Sequence, residues 1–467
     1  MTSSRFGNFL CTFTLFCVAT AVASSAQTLT TVANFNGTNG QNPYLGSLIQ
    51  GTDGNFYGTT YYGGIKTYYG VVFKVSQGGT ISDVYRFCSV QSCLDGETPG
   101  GSVMQAANGH LYGTTTAGGA YSGGTVFEIT PSGQFNTLYS FPYRSDVFGA
   151  PVQGPNGNIY GIASNTIFQI TPTGVLTTLV TFPNNVGAQE LVLSTDGKFY
   201  GTTGEGGLHG YGFFFSLTTA GKVTPLYSFN SAADGSGFRT LMLAANGNFY
   251  GTAESGGANS QGTVFEITPT GQFTNLYNFC SQTNCADGMA PTGTLIQATD
   301  GNLYGTTPFG GTGGIDFCIS HCGTAFQITT SGTLTTIYNF CSLANCSDGE
   351  APYYGLVQGT DGNLYGATYG GGASASGGGT IYKISMGLDP FVETNPDFGK
   401  VGWTISILGT NLTGTTSVTF NGTPATFGVI SPSLIKAQVP SGATTGTIQV
   451  TTTTGTLNSN VAFQVLP

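Results

Sequence analysis

The sequence predicts an all-β chain: a seven-bladed β-propeller closed by an N-terminal strand, followed by a small β-sandwich. Three observations carry this prediction. A phrase built on [Asp/Asn]-Gly-x-x-Tyr-Gly recurs seven times between residues 53 and 368. Of 467 residues, 75 are glycine and only 7% are charged, while 12% are aromatic. A usual soluble protein carries about 25% charge, and a disordered chain would be poor in aromatics. Beyond residue 386 the phrase stops, and Thr, Val and Ile alternate in short runs.

From the N-terminus, Arg5 precedes an apolar run over Phe9–Val22 and then the small residues Ala23 to Ala26. That order describes a secretory signal peptide over 1–26, with the mature chain starting near Gln27. The run is too short for a membrane span, and the residues before Cys17 do not suit a lipidation signal. Next comes an isolated strand-like segment, Thr28 to Phe35. The repeats follow, with tyrosines at Tyr57, Tyr112, Tyr160, Tyr200, Tyr250, Tyr304 and Tyr365, spaced 40 to 61 residues apart. Each unit reads as four short strands, A to D. A loose apolar stretch such as LGSLIQ (45–50) precedes the tyrosine strand, and runs such as VVFKV (71–75) and FNTLYSF (135–141) follow it. Both neighbours of each tyrosine strand side chain are apolar or aromatic, as when a sheet is covered on both faces. A long, ragged period with four strands per unit fits radial blades better than a β-helix. The seventh unit ends at Ile384 without a D strand, so the orphan strand near residue 28 supplies it and closes the ring. The propeller is therefore assigned to 27–386.

Strand parity then separates two faces. A–B and C–D connections share one face, and they are tight [Asp/Asn]-Gly or Thr-Pro-x-Gly turns. B–C and D–A′ connections share the other, and all the long segments fall there: YYGGIKTYYG (61–70), CSVQSCLDGETP (88–99), CSQTNCADGMAP (280–291) and CSLANCSDGEAP (341–352). Loops held by a rigid scaffold are where binding concentrates. Candidate binding residues on this face are Tyr61, Tyr62, Tyr68, Tyr69, Asp95, Glu97, Glu205, His209, Asp287, Asp348 and Glu350. The tyrosines suit stacking on sugar rings or on a protein.

Eight cysteines remain beyond the signal segment. Three identical C-x4-C spacings predict the local disulfides Cys88–Cys93, Cys280–Cys285 and Cys341–Cys346, with Cys318–Cys322 as a fourth pair. An oxidising compartment fits such usage. Zinc held by Cys318, His321 and Cys322 is the rival reading, and it is one ligand short.

The residues from 387 onward suit a β-sandwich. VGWTISILGTNLTG (401–414), SVTFNGTPA (417–425) and IKAQVPSGATTGTIQV (435–450) resemble the IPT/TIG family of immunoglobulin-like domains. Leu412 stands where that family usually has an aromatic. The resemblance implies an immunoglobulin-like sandwich acting as a non-catalytic spacer or interaction module. The GNLYGTT…GGTVFEI phrase in turn resembles the GloVer tandem repeat of exported bacterial proteins, which implies location and architecture but no chemistry.

No GxSxG, HExxH, Walker or dinucleotide fingerprint is present, so no cofactor, metal site or catalytic residue is expected. The Asp-Gly-Glu triplets at Asp95/Glu97 and Asp348/Glu350 are a candidate carboxylate pair for glycoside cleavage, but Asp287-Gly-Met289 breaks the pattern and Asp-Gly is ordinary turn chemistry. Calcium on these aspartates lacks the EF-hand spacing. A net charge of −10 argues against a nucleic-acid partner. The expected function is a secreted, extracellular or periplasmic, non-catalytic binding or adhesion protein for carbohydrate or protein. The alternatives are a polysaccharide-acting glycosidase or lyase using loop carboxylates, and a structural envelope protein without a small ligand.

Overall fold

The computed structural model describes residues 27–44, 46–64, 68–183, 186–230, 233–313, 322–374 and 377–467. The expected signal peptide, with Cys11 and Cys17, lies outside them.

Seven antiparallel sheets occupy residues 28–385; six have four strands, A-B-C-D from the innermost outward, and in the second the A position is split between Glu97–Pro99 and Met104–Gln105, both paired with Leu111–Ala117. Blade 4 shows the plan: Ala188–Leu193, Phe199–Thr203, Phe213–Leu217 and Val223–Ser228. Blade 7 takes its outer strand from the other end of the chain, where Thr28–Asn34 pairs antiparallel with Thr380–Ser385. Seven apolar clusters fill the junctions between neighbouring sheets. One of them joins Phe35, Tyr365 and Ile381 of the last sheet to Leu48, Phe56 and Phe73 of the first.

The repeated phrase has a mechanical explanation. Each repeat tyrosine is buried between blades, yet its hydroxyl needs a partner. The Asp or Asn four residues earlier in the A–B turn provides it: Tyr57 Oη donates to Asp53 Oδ2 at 2.9 Å, and Tyr160 Oη accepts from Asn156 Nδ2 at 2.9 Å. The glycine after the tyrosine faces an aromatic of strand C across the ladder, as in Gly58 opposite Phe73. A Cβ on Gly58 would lie 2.7 Å from Phe73 Cζ, so the aromatic can fill the blade only because glycine leaves the space.

Residues 393–466 form two four-stranded sheets and a short parallel pair, Phe398–Lys400 with Gln464–Leu466. Ile405, Ile407, Leu412, Val418, Phe420, Ile435, Ile448 and Phe463 fill the core between them. Leu412, the departure from the family pattern, is wholly buried there. This domain sits on the turn face of the propeller. Asn395 Nδ2 donates to Gln105 O at 3.1 Å in blade 2, and Gln464 Nε2 to Thr195 O at 2.6 Å in blade 4. Asn460 Nδ2 donates to Gln297 O at 2.5 Å in blade 6, and the Thr360 and Thr410 hydroxyls meet at 3.0 Å in blade 7. No described helix is long and apolar enough to cross a membrane.

Candidate functional site

With the turn face occupied by the C-terminal domain, the long-loop face is the exposed end of the propeller. Its three C-x4-C loops share one construction. Cys88–Cys93, Cys280–Cys285 and Cys341–Cys346 are disulfides. Below each lies a buried aspartate: Asp95, Asp287 or Asp348. Asp287 Oδ2 accepts from Tyr277 Oη at 2.8 Å, Ser281 N at 2.9 Å and Ser281 Oγ at 3.0 Å, while Gln282 N reaches Oδ1 at 3.2 Å. Asp95 and Asp348 repeat the set with Tyr85/Ser89/Val90 and Tyr338/Ser342/Leu343. Burial, then hydrogen bonding to the aspartate against the relief given by the serine, pushes Tyr277 and Tyr338 up to about 12. These three aspartates, expected as ligand contacts, instead hold their own loops together. The reason is that each carboxylate turns inward to satisfy backbone N–H groups that the tight loop would otherwise leave without partners.

Glu97 and Glu350 are half-buried beside the disulfides, with a carboxylate oxygen grouped within 4.8 Å of both sulfurs. Those sulfurs are bonded to each other, so the groups make no metal site. Glu350 also lines a surface hollow of about 390 Å³ with Asn345 and Ser374. Because the aspartate of each Asp-Gly-Glu triplet is buried and engaged, neither triplet offers two free carboxylates. Glu205 and His209 are exposed on the B–C loop of blade 4. The fourth cysteine pair and His321 fall on Cys318 to Cys322, of which 318–321 lie outside the described residues.

The tyrosines divide. Tyr69 is half-buried and packs against the core between blades 1 and 2. Tyr61 and Tyr62 lie 4.8 Å apart edge to face, and Tyr68 follows at 6.0 Å from Tyr62. The structure adds partners that sequence reading missed. Tyr44 contacts Tyr61 at 6.0 Å, Tyr353 at 5.2 Å and Tyr369 at 5.8 Å, and Phe309 contacts Tyr353 at 5.7 Å. This aromatic cluster draws on loops of blades 1, 6 and 7. A signal was present: Tyr44 and Tyr353 each follow a loop proline, and Tyr61 and Tyr369 each follow the Thr that closes the repeated phrase. Burial, then the charges of Tyr44, Tyr369 and Glu254, pushes Tyr353 up to about 12. Glu254, from blade 5, is itself paired with Arg239 at 2.7 Å.

The exposed apolar side chains are strongly one-sided. Among the described propeller residues, nine large hydrophobics are exposed. Eight are on the loop face, led by Leu208 (89%), Tyr143 (70%), Tyr68 (68%) and Tyr121 (66%), with Val90, Leu94, Tyr211 and Leu343. Only Val175 is on the turn face. Tyr121, Tyr143, Leu208 and Tyr211 were absent from the expected set.

Comparison with known proteins agrees with this architecture. The structure is similar to a streptogramin B lyase, with a TM-score of 0.55 and 14% identity over 77% of this chain and 98% of that one. It is also similar to virginiamycin B lyase from Staphylococcus aureus, with a TM-score of 0.52 and 15% identity over 77% and 99%. The extracellular domain of a hybrid two-component system from B. thetaiotaomicron aligns with a TM-score of 0.49 and 16% identity, over 93% of this chain and 53% of that one. At such identities the likenesses to the two lyases speak to the fold alone. No curated protein sequence matches. The Gloeobacter/Verrucomicrobia repeat model matches residues 17–191 and 187–428, and the IPT/TIG model matches 392–465. The chain belongs to the Gloeobacter/Verrucomicrobia repeat family and ends in an IPT/TIG domain.

Proposed function

We propose that this is an exported, non-catalytic binding protein whose loop face recognises carbohydrate, with the IPT/TIG domain at the opposite end as a spacer. The observation that supports this reading most directly is the one-sided distribution of exposed apolar side chains, eight of nine on the loop face. Exposed aromatics held on rigid loops are suited to stacking on apolar sugar faces. The Tyr61–Tyr62–Tyr68 edge of the aromatic cluster gives that stacking a preformed surface. Three disulfides fit an oxidising compartment.

A glycan array probed with the oxidised chain from Gln27 to Pro467 tests the reading, with bound sugars checked for new reducing ends. Binding without cleavage is expected. Tyr61→Ala with Tyr68→Ala should weaken it by about 10-fold or more, since each stacked aromatic contributes about 0.5–1.5 kcal/mol beyond its buried area. New reducing ends would favour a polysaccharide-acting enzyme. Silence on all glycans would overturn the carbohydrate reading and turn attention to protein ligands.

A further inference from the structure

The end of the propeller away from the loops holds a cavity of about 530 Å³ between the innermost strands and the C-terminal domain. That volume falls within the usual range for small-molecule sites, roughly 300–1,000 Å³, and such sites favour domain junctions. The wall is mainly apolar, with Met104, Leu191, Leu193, Met242 and Ile296 on the propeller side and Phe391 on the other. Two of its lining residues are ionisable, Glu393 and Asp397; no Lys, Arg or His lines it. Glu393 lies on the strand Glu393–Asn395, and Asp397 on the turn just beyond it. Among the described residues, neither carboxyl forms an ion pair or a hydrogen bond to another residue; Asp397 is helped only by its own backbone N–H. Both line the cavity and keep more than a third of their surface accessible. Burial raises both, and Glu393, with the charge of Asp397 adding, is pushed up to about 7.

Two accessible carboxylates with no cation beside them, set in a mainly apolar wall, concentrate negative potential that a counter-charge from a ligand would satisfy. A hard metal ion fits poorly, because it asks for six or more oxygens and most of the wall is hydrocarbon. The four glutamine amides that reach the cavity are committed to the A–B turns of the blades. The complement of this wall is a charge carried on an apolar body. We propose that the cavity is a binding site for a small hydrophobic cation, an alkyl- or arylammonium whose body packs on the innermost strands and whose charge lies against Glu393 and Asp397. This site is separate from the loop face and would be occupied independently of it.

Isothermal titration of the chain from Gln27 to Pro467 with octyltrimethylammonium, octanoate and 1-octanol tests the proposal. The ammonium should bind at least 10-fold more tightly than octanoate. The isosteric double variant Glu393→Gln/Asp397→Asn should lose at least 10-fold for the ammonium while keeping its affinity for octanol. Ionised carboxyls are what the cation needs, so its affinity should be higher at pH 8.5 than at pH 5.5, and that of octanol should not change. Leu193→Trp, which fills the cavity, should remove all binding; circular dichroism checks its fold, and the isosteric variant decides the matter if it fails to fold. Equal binding of octanoate and ammonium, an unaltered ammonium affinity in the isosteric variant, or no binding by any of the three would overturn the proposal.

Discussion

Blade 5 is entered and left by two loops that differ in length and in a disulfide. The exit loop carries the Cys280–Cys285 disulfide; the entry loop, from Phe229 to Gly235, has no cysteine. Both bury an aspartate under the loop. In the entry loop Asp234 Oδ2 accepts from Tyr227 Oη at 2.9 Å and Asn230 N at 2.8 Å, the counterparts of the Tyr277 and Ser281 bonds to Asp287. Both aspartates precede a glycine with positive φ, +106° at Gly235 and +92° at Gly288. A side chain on either glycine would run into a B strand, at Ala253 or at Thr307. The Asp-Gly socket therefore appears with and without the disulfide, which makes the socket the element that shapes the loop and the disulfide an addition to it.

The sharpest way to break that comparison is to remove the sockets. Asp234→Ala and Asp287→Ala each remove a buried charged acceptor from a tyrosine hydroxyl and from a loop N–H, and a hydrogen bond to a charged group contributes about 1.5–3 kcal/mol. Each should lower the unfolding free energy in urea by about 3 kcal/mol. Cys280→Ser/Cys285→Ser should cost less, roughly 2 kcal/mol at most, because so short a loop loses little chain entropy on closure. A disulfide variant that costs more than Asp287→Ala would reverse the assignment.

The same contrast extends to a carboxylate that has no socket. Glu190 lies on the innermost strand of blade 4, and burial alone pushes it up from 4.5 to about 8. A carboxyl whose folded pKa exceeds its unfolded one gives its full contribution below about pH 4.5. That contribution fades as pH rises through 8, because the folded chain retains a proton the unfolded chain has released. Glu190→Gln should therefore leave stability at pH 4 almost unchanged and raise it at pH 9 by about 1–2 kcal/mol, an amount discounted for the part of the side chain that water reaches. Urea unfolding across pH checks this; a variant whose profile parallels that of the parent would show that Glu190 is ionised and solvated in the fold.

Much of this architecture was legible because it is repeated. Seven copies of one phrase, a D strand displaced to the N-terminus and three equal cysteine spacings each had a local cause; the first two recur in the strand pairings and the third in the disulfides. The binding face was legible only in part. Sequence parity separates the loops from the turns, but it does not say whether a loop carboxylate turns in or out. The missed signal was a constant ten-residue offset from Tyr85 to Asp95, Tyr277 to Asp287 and Tyr338 to Asp348. The aromatic cluster escaped because Tyr44, Tyr353 and Tyr369 come from separate blades and meet only in the assembled structure. The docking of the C-terminal domain includes single amides at Asn395, Asn460 and Gln464 and the Thr360–Thr410 hydroxyl pair, which no repeat announces.

The smallest expected effect concerns the seams between blades. At the end of strand A, Gln50, Gln105, Gln153, Gln297 and Gln358 each accept a backbone N–H from the A–B turn of the preceding blade, at 2.8–3.0 Å. Blades 4 and 5 have Leu193 and Leu243 at that place. Opposite Leu193, the donor position in the turn of blade 3 is Pro155, which has no N–H to give. Donor and acceptor are thus absent together at one seam, and at the next the Thr195 N–H is left without a glutamine. A seam that works with leucine sets the scale: Gln297→Leu removes this bond and its own bond to Gly301 O, two bonds of about 0.5–1.5 kcal/mol each whose loss the added apolar contact partly offsets, so about 1 kcal/mol is expected. Gln50→Leu removes the equivalent bond to Thr360, at the seam where the last blade meets the first. That seam is also fastened by the pairing of Thr28–Asn34 with Thr380–Ser385, so the two variants should have matching unfolding midpoints. A clearly larger loss for Gln50→Leu would mean that the N-terminal strand does not share the work of closure, and that the ring is held at this seam by contacts no stronger than those between any other two blades.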